Sequence, residues 1–355
     1  MFRRRNRSLP CKYAWVGGLP LEQLPPRLHS EGMNHPLRIL IAAWLACLPL
    51  LAQMNPAQTN PHHQLQDALI LEEHGQFDAA IQVIRPLVES NQFSGVELGR
   101  AYIMLGFAYR AQGSFAAAQS AYEQSLRILE RDDAHPGDYA SALENYAGLY
   151  GDLGQAQIAQ PMWQKALRLR EQTGDHASAA LSLLNLAGLD LLRRRVREAK
   201  QYLQSASDEM KSASDLVDDD RIALVETRAW LAEAEGYISD AVAGYQSGLE
   251  LCIRAHGEEY WLTGWEYLLR GRAYSEAGDT TSALADMRKG LAIFDQSLGR
   301  RNPRYLWAQI AYSRVLDRAG SHAEARQLRA TAEQARKDFY ATQCAGCTIN
   351  VAAFR

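Results

Sequence analysis

The chain has 355 residues, 47% of them hydrophobic and 22% charged, a balance that excludes disorder as the main state. Its formal net charge of −3 leaves no electrostatic footprint for nucleic acid or an anionic membrane surface. Five cysteines, Cys11, Cys47, Cys252, Cys344 and Cys347, are too few for a disulfide framework.

The first feature along the chain is apolar. "MNHPLRILIAAWLACLPLLAQ", Met33 to Gln53, has the pattern of a secretory signal peptide. Arg38 lies in a short n-region, the apolar stretch runs from Ile39 to Leu51, and small Ala52 precedes Gln53. That stretch is shorter than the ~20 residues a membrane-spanning helix needs. On this reading residues 1–32 are an upstream segment outside the folded protein, 33–52 are the signal peptide, 53–61 are a linker, and the protein is exported, to the periplasm or beyond. A second reading stays open. It takes "MFRRRNR" as a cytoplasmic basic flank and residues 37–52 as an uncleaved inner-membrane anchor.

Beyond the linker the chain repeats. "AYIMLGFAYRAQGSFAAAQSAYEQSL", Ala101 to Leu126, spaces Gly106, Tyr109, Gly113, Phe115, Ala118 and Tyr122 at fixed offsets. With Ala118 as anchor, the pattern returns at Ala80, Ala159, Ala199, Ala241, Ala283 and Ala325. The anchors step by 38, 41, 40, 42, 42 and 42 residues. Twelve positions before each stands a small residue: Ala68, Gly106, Ala147, Ala187, Ala229, Gly271 and Ser313. Glycine lies five positions before six of the anchors, where a helical hairpin turns and φ > 0 is needed. Arg194 takes that place in the fourth unit, so a distorted turn is expected there. Small residues let two antiparallel helices approach, and large ones fill the space between hairpins. One hairpin cannot bury its apolar stripe alone, so stacking supplies the core.

This pattern resembles the tetratricopeptide repeat over residues 62–336, most fully in the unit Arg100–Leu126. The longer period, with links such as "LGRRNPRY" and "DDAHPGDY", resembles the subclass found in kinesin light chain and its bacterial relatives. The resemblance implies an all-α fold, a right-handed α-solenoid of about seven antiparallel helical hairpins. It also implies a concave face, lined by the first helix of each unit, that holds a protein or peptide partner. Carried over by offset, the groove residues are Arg100, Phe107 and Arg110 in the second unit and Trp230 in the fifth. Trp265 and Arg272 follow in the sixth, and Trp307 and Arg314 in the seventh. Trp and Arg are the residues most enriched in binding hot spots. Each tryptophan has a second reading, as a packing contact with a neighbouring helix or the C-terminal tail. Asn145 and Asn185 stand where the family can hydrogen-bond a ligand backbone, or they satisfy their own helices. The family's carboxylate clamp is absent.

Nothing in the chain carries chemistry of its own. Phosphate-loop, dinucleotide, zinc-protease and serine-hydrolase motifs are all missing, so no enzyme, cofactor or metal is expected. His62 and His63 read as solvated residues of a leader. "RRRVR", Arg193 to Arg197, reads as a solvated turn or an anionic contact, and "DLVDDD" as a link with a helix N-cap. Residues 337–355 leave the repeat as a tail. Its "CAGC" places Cys344 and Cys347 where they form a passive disulfide, stay reduced or exchange disulfides. "TINVAAF" reads as a short strand or extended segment that docks on the last hairpin or fills the groove.

The expectation is a non-enzymatic interaction scaffold of unknown oligomeric state. A membrane-anchored accessory subunit of an envelope or secretion complex is the alternative, and a thiol–disulfide role a third.

Overall fold

The computed structural model describes residues 60–90, 92–131 and 135–343. The expected segments 1–32 and 33–52, nearly all of the linker, and the tail residues Cys344 and Cys347 lie outside the described residues.

Among the described residues, fourteen helices follow one another, pairing as seven hairpins. The first four hairpins are α1 (Pro61–Glu73) with α2 (Phe77–Glu89), α3 (Gly95–Gln112) with α4 (Phe115–Leu129), α5 (Pro136–Asp152) with α6 (Ala156–Thr173), and α7 (His176–Leu192) with α8 (Val196–Ser212). The last three are α9 (Asp218–Glu235) with α10 (Ile238–His256), α11 (Trp261–Glu276) with α12 (Thr280–Ser297), and α13 (Pro303–Arg318) with α14 (His322–Gln343). His62 and His63 are therefore exposed residues in the first turn of α1 rather than part of a leader. The final helix continues through Gln343, past the boundary expected at 336.

Side-chain caps mark several helix starts. Asn60 Oδ1 accepts from His62 N at 3.0 Å, Asp175 Oδ1 from Ser178 N at 3.1 Å, and Asp279 Oδ1 from Ser282 N at 3.0 Å. The acidic run at α9 fills the first turn of the helix instead of supplying the N-cap. Asp220 Oδ2 reaches back to accept from Val217 N at 2.9 Å, and three carboxylates sit at the positive end of the helix dipole.

The seven anchor alanines are all in the core, none more than 1% exposed. Gly106 shows why the position opposite must be small. A Cβ there would lie 2.5 Å from the ring of Tyr122, which is itself fully buried.

All seven hairpin turns share one geometry. The turn residue has φ between 57° and 96°, and the next residue's N–H reaches back to the carbonyl five residues before it. Arg194 adopts this geometry with φ 57°, and Arg195 N donates to Asp190 O at 2.8 Å as Ser114 N does to Tyr109 O. The fourth turn is thus undistorted, because the flanking helices hold a non-glycine residue in the left-handed region. That conformation costs a residue with a Cβ about 1–2 kcal/mol, partly offset by the greater freedom of glycine in the unfolded chain. Arg194→Gly should raise stability by about 0.5–1 kcal/mol, read as a higher urea midpoint.

The solenoid bends until its ends meet. Phe77 of the first hairpin and Ala111 of the second join Ile222, Cys252, Trp261 and Leu262 in one buried cluster. Asn302, at the start of α13, donates from Nδ2 to Ala111 O at 2.7 Å, across 191 residues of sequence. Its Oδ1 caps α13 by accepting from Arg304 N at 2.9 Å. Phe339 and Tyr340, near the end of α14, lie 6.0 and 6.2 Å from the ring of Phe115.

Candidate functional site

Because the hairpins close on themselves, their first helices surround a cavity of about 320 Å³. That is at the small end of the range for ligand sites. All five tryptophans among the described residues line it: Trp163, Trp230, Trp261, Trp265 and Trp307. Leu181, Leu184, Leu189 and Leu269 complete an apolar wall, and Asn185, Asp152, Glu226, Arg110, Arg272 and Arg304 supply the polar groups.

The polar groups fall at two ends. At the closing end, Asp152 Oδ2 accepts from Arg110 Nε at 2.6 Å and lies 3.7 Å from Arg304 Nη2. The Arg304 guanidinium stands 5.0 Å from the Trp261 ring, a cation–π distance. Tyr340 closes this end. Burial, then the Asp152 carboxylate, pushes its phenol up to about 12, with Arg336 opposing. At the other end, Arg272 Nη2 donates to Glu233 Oε2 at 2.7 Å and to the Tyr245 hydroxyl at 3.2 Å, and that hydroxyl donates to Glu233 at 2.9 Å. The Arg272 side chain remains 30% exposed. Between the ends, Trp265 and Trp307 lie 5.1 Å apart, and Trp265 Nε1 donates to Glu226 Oε1 at 3.2 Å.

Behind Glu226, Glu266 is 1% exposed, in room left by Gly248, where a Cβ would lie 2.8 Å from Glu266 Oε2. Burial first, and then the charge of Glu226, raises the Glu266 carboxyl well above its usual range. The folded state therefore holds a proton that the unfolded chain releases. Its stabilising contribution is present below the ordinary carboxylate pKa and is lost as pH rises through the folded value. Glu266→Gln keeps the shape and removes this dependence. The variant should be the more stable protein at about pH 8 and no different from the parent near pH 4, as thermal melts across that range would show.

Six of the ten residues expected at the groove meet on this cavity: Arg110, Asn185, Trp230, Trp265, Arg272 and Trp307. The other four do not line it. Arg100 is held by Asp138 in a two-pronged pair, Nε–Oδ1 2.7 Å and Nη2–Oδ2 2.8 Å. Phe107 packs edge-on against Phe77 at 6.1 Å in the closing cluster. Asn145 is buried and donates to Ser141 O of its own helix at 2.9 Å. Arg314 is exposed beside Arg272, on the next hairpin.

The groove offsets do not reach Trp163, Trp261, Arg304 or Tyr340. Trp163 lies on a second helix, at the offset of a packing aromatic. Trp261 and Arg304 sit where helices begin, and only closure turns them inward. Tyr340 has a legible signal: no Gly or Pro interrupts residues 322–343, so the helix runs on to carry it.

The architecture defines the class, an all-α solenoid of helical hairpins closed around a cavity. Residues 99–128 and 138–209 match sequence profiles described as tetratricopeptide repeat. Among solved structures it is similar to the Rap conjugation gene regulator of plasmid pLS20 in complex with the Phr* peptide. The two share 13% identity with a TM-score of 0.64, over 88% of this chain and 87% of that one. The apo form of RapI matches at 12% identity and TM-score 0.57, over 79% of this chain and 99% of that one. A Rap protein complexed with Competence and Sporulation Factor matches at 14% and 0.57, over 79% and 77%. These likenesses show the fold. No curated protein matches the chain by sequence.

Proposed function

We propose that the protein is an interaction scaffold that binds a peptide, or a short segment of a protein, in the cavity its solenoid encloses. The observation that carries this reading is the convergence of all five described tryptophans on one cavity, with arginines at both ends. Trp163 and Trp261 also belong to the buried core, whereas Trp230, Trp265 and Trp307 are only partly buried and leave ring surface to the cavity. Tryptophan and arginine give large contact areas and directed hydrogen bonds, which is why they dominate hot spots. Two solved relatives of the same fold are complexes, one with the Phr* peptide and one with Competence and Sporulation Factor, which supports a peptide as the partner. The proposal includes a place in the cell envelope, on the signal-peptide pattern of residues 33–52. N-terminal sequencing of the mature protein near residue 53 tests that part.

The binding test uses the tryptophans as reporters. A random pool of hexapeptides added to the full-length chain should shift its tryptophan emission. Trp265→Leu/Trp307→Leu, with unchanged helicity by circular dichroism, should weaken binding by about 2 kcal/mol or more. An emission spectrum indifferent to every peptide pool would sink the reading.

A further inference from the structure

We propose that the turn of the fourth hairpin is a second docking surface, separate from the cavity, and that its partner is an acidic segment of another protein carrying apolar side chains.

Six of the seven hairpin turns place glycine in the left-handed region, and the fourth places Arg194 there, at φ 57°. The backbone gains nothing from the exchange, since a residue with a Cβ is strained in that region. The side chain gives the fold nothing in return. It is exposed and makes no hydrogen bond or ion pair with any described residue. A residue held in a costly conformation, with a side chain the fold does not use, points to a contact outside the fold.

The surroundings of Arg194 say what that contact is. Arg195, Arg197 and Lys200 are exposed beside it, and Arg193 is partly so. The acids within reach answer only some of these charges. Asp190 lies 3.9 Å from Arg195 Nη1, Glu198 lies 3.7 Å from Arg197 Nη2, and Glu235 accepts from Lys200 Nζ at 2.8 Å. Arg193 Nη1 donates to a neutral amide, Gln160 Oε1, at 2.6 Å. Five cations thus meet three carboxylates. The same edge is apolar. Of the four large apolar side chains exposed among the described residues, Ile158, Leu192 and Tyr237 stand at the third, fourth and fifth turns. The Arg193–Gln160 bond fastens the fourth turn against α6 near Ile158, and the Lys200–Glu235 pair fastens it to the end of α9 near Tyr237. A carboxylate on the partner would complete the guanidinium groups with paired, charge-assisted bonds, and its apolar side chains would cover the exposed ones. An anionic bilayer fits this edge poorly. The fifth and sixth turns expose Glu235, Asp240, Glu276 and Asp279 along it, so the positive charge is confined to one turn, the width of a short segment.

The probe is a fluorescein-labelled, C-amidated peptide of four Glu-Glu-Leu repeats, titrated with the full-length chain and followed by anisotropy. It should bind, and a peptide of four Gln-Gln-Leu repeats should bind at least about tenfold more weakly. Arg194→Gly should weaken binding about two- to fivefold while making the protein more stable, so the loss is not damage to the fold. Arg194→Gly/Arg197→Glu should weaken it at least about tenfold, and Arg197 is 86% exposed, so this variant also folds. Trp265→Leu/Trp307→Leu should bind as tightly as the parent, because the surface is not the cavity. No binding of the acidic peptide, equal binding of the two peptides, or binding indifferent to both arginine variants would overturn the proposal. Binding lost in the tryptophan variant and kept in the arginine variants would place the acidic segment in the cavity and overturn it too, leaving the peptide site standing. Binding of the chain to phosphatidylglycerol vesicles and not to the peptide would make the edge a membrane contact instead.

Discussion

Glu144→Ala is expected to cost about 3–5 kcal/mol of stability, the usual penalty for breaking a buried ion pair from one side. Glu144 on α5 and Arg170 on α6 are 0% and 1% exposed. Arg170 Nη2 donates to Glu144 Oε2 at 3.0 Å and to Ser141 Oγ at 2.6 Å, and Nη1 donates to Asp175 Oδ2 at 3.1 Å. Ser182, on α7, donates to the other carboxylate oxygen of Glu144. One carboxylate thus ties the third hairpin together and fastens it to the fourth. Without it a guanidinium is left in a dry interface with too little negative charge. Glu144→Leu/Arg170→Met, which removes both charges, should cost less than either single truncation, because no uncompensated ion remains. Urea unfolding followed by circular dichroism would measure the series. Since stability in such an array is a sum of hairpin and interface contributions, the single variant should also unfold in two steps that divide at this interface. A Glu144→Ala loss below about 1 kcal/mol would mean that the neighbouring hydroxyls and Asp175 suffice for Arg170.

The repeat was legible because it is set by volume. An alanine must stand where two helices touch, and that requirement recurs at every anchor whatever else varies. The period also fixes which face of each first helix looks inward, which is why Trp230, Trp265, Arg272 and Trp307 meet on the cavity. An offset identifies a face but not the neighbours of that face. Asp138 claims Arg100, and the closing cluster covers Phe107. The distortion expected at Arg194 failed for a related reason. Residue preference is local, while the two helices that fix the turn outweigh a cost of about 1–2 kcal/mol. Closure itself left little trace, since it pairs Asn302 with Ala111 across 191 residues and no periodic pattern encodes such a contact.

Phe115→Ala is expected to cost about 3–5 kcal/mol and to open the ring. Phe115 is 3% exposed and packs with Ala118, Tyr122, Tyr146, Leu149 and Leu153, the core shared by the second and third hairpins. Its other side faces Phe339 and Tyr340 of the last helix. Truncation therefore removes a core ring and a closing contact together, and a second variant must separate them. Phe339→Ala/Asn302→Ala leaves the Phe115 core ring in place and removes the closing contact together with the Asn302 cap of α13, since Phe339 is only half-buried and Asn302 reaches Ala111 from the seventh hairpin. This pair should lose less stability than Phe115→Ala, keep its far-ultraviolet helical signal and show a larger radius of gyration in small-angle X-ray scattering. The cavity should change with it. Arg304 is placed at the closing end by the cap Asn302 provides, and Tyr340 by the helix that Phe339 anchors. Scattering unchanged in the double variant would mean that the curvature of the stacked hairpins already brings the ends together. Expansion would mean that the closing contact holds the cavity shut, and that a ligand large enough to bridge its two ends competes with that contact for the same free energy.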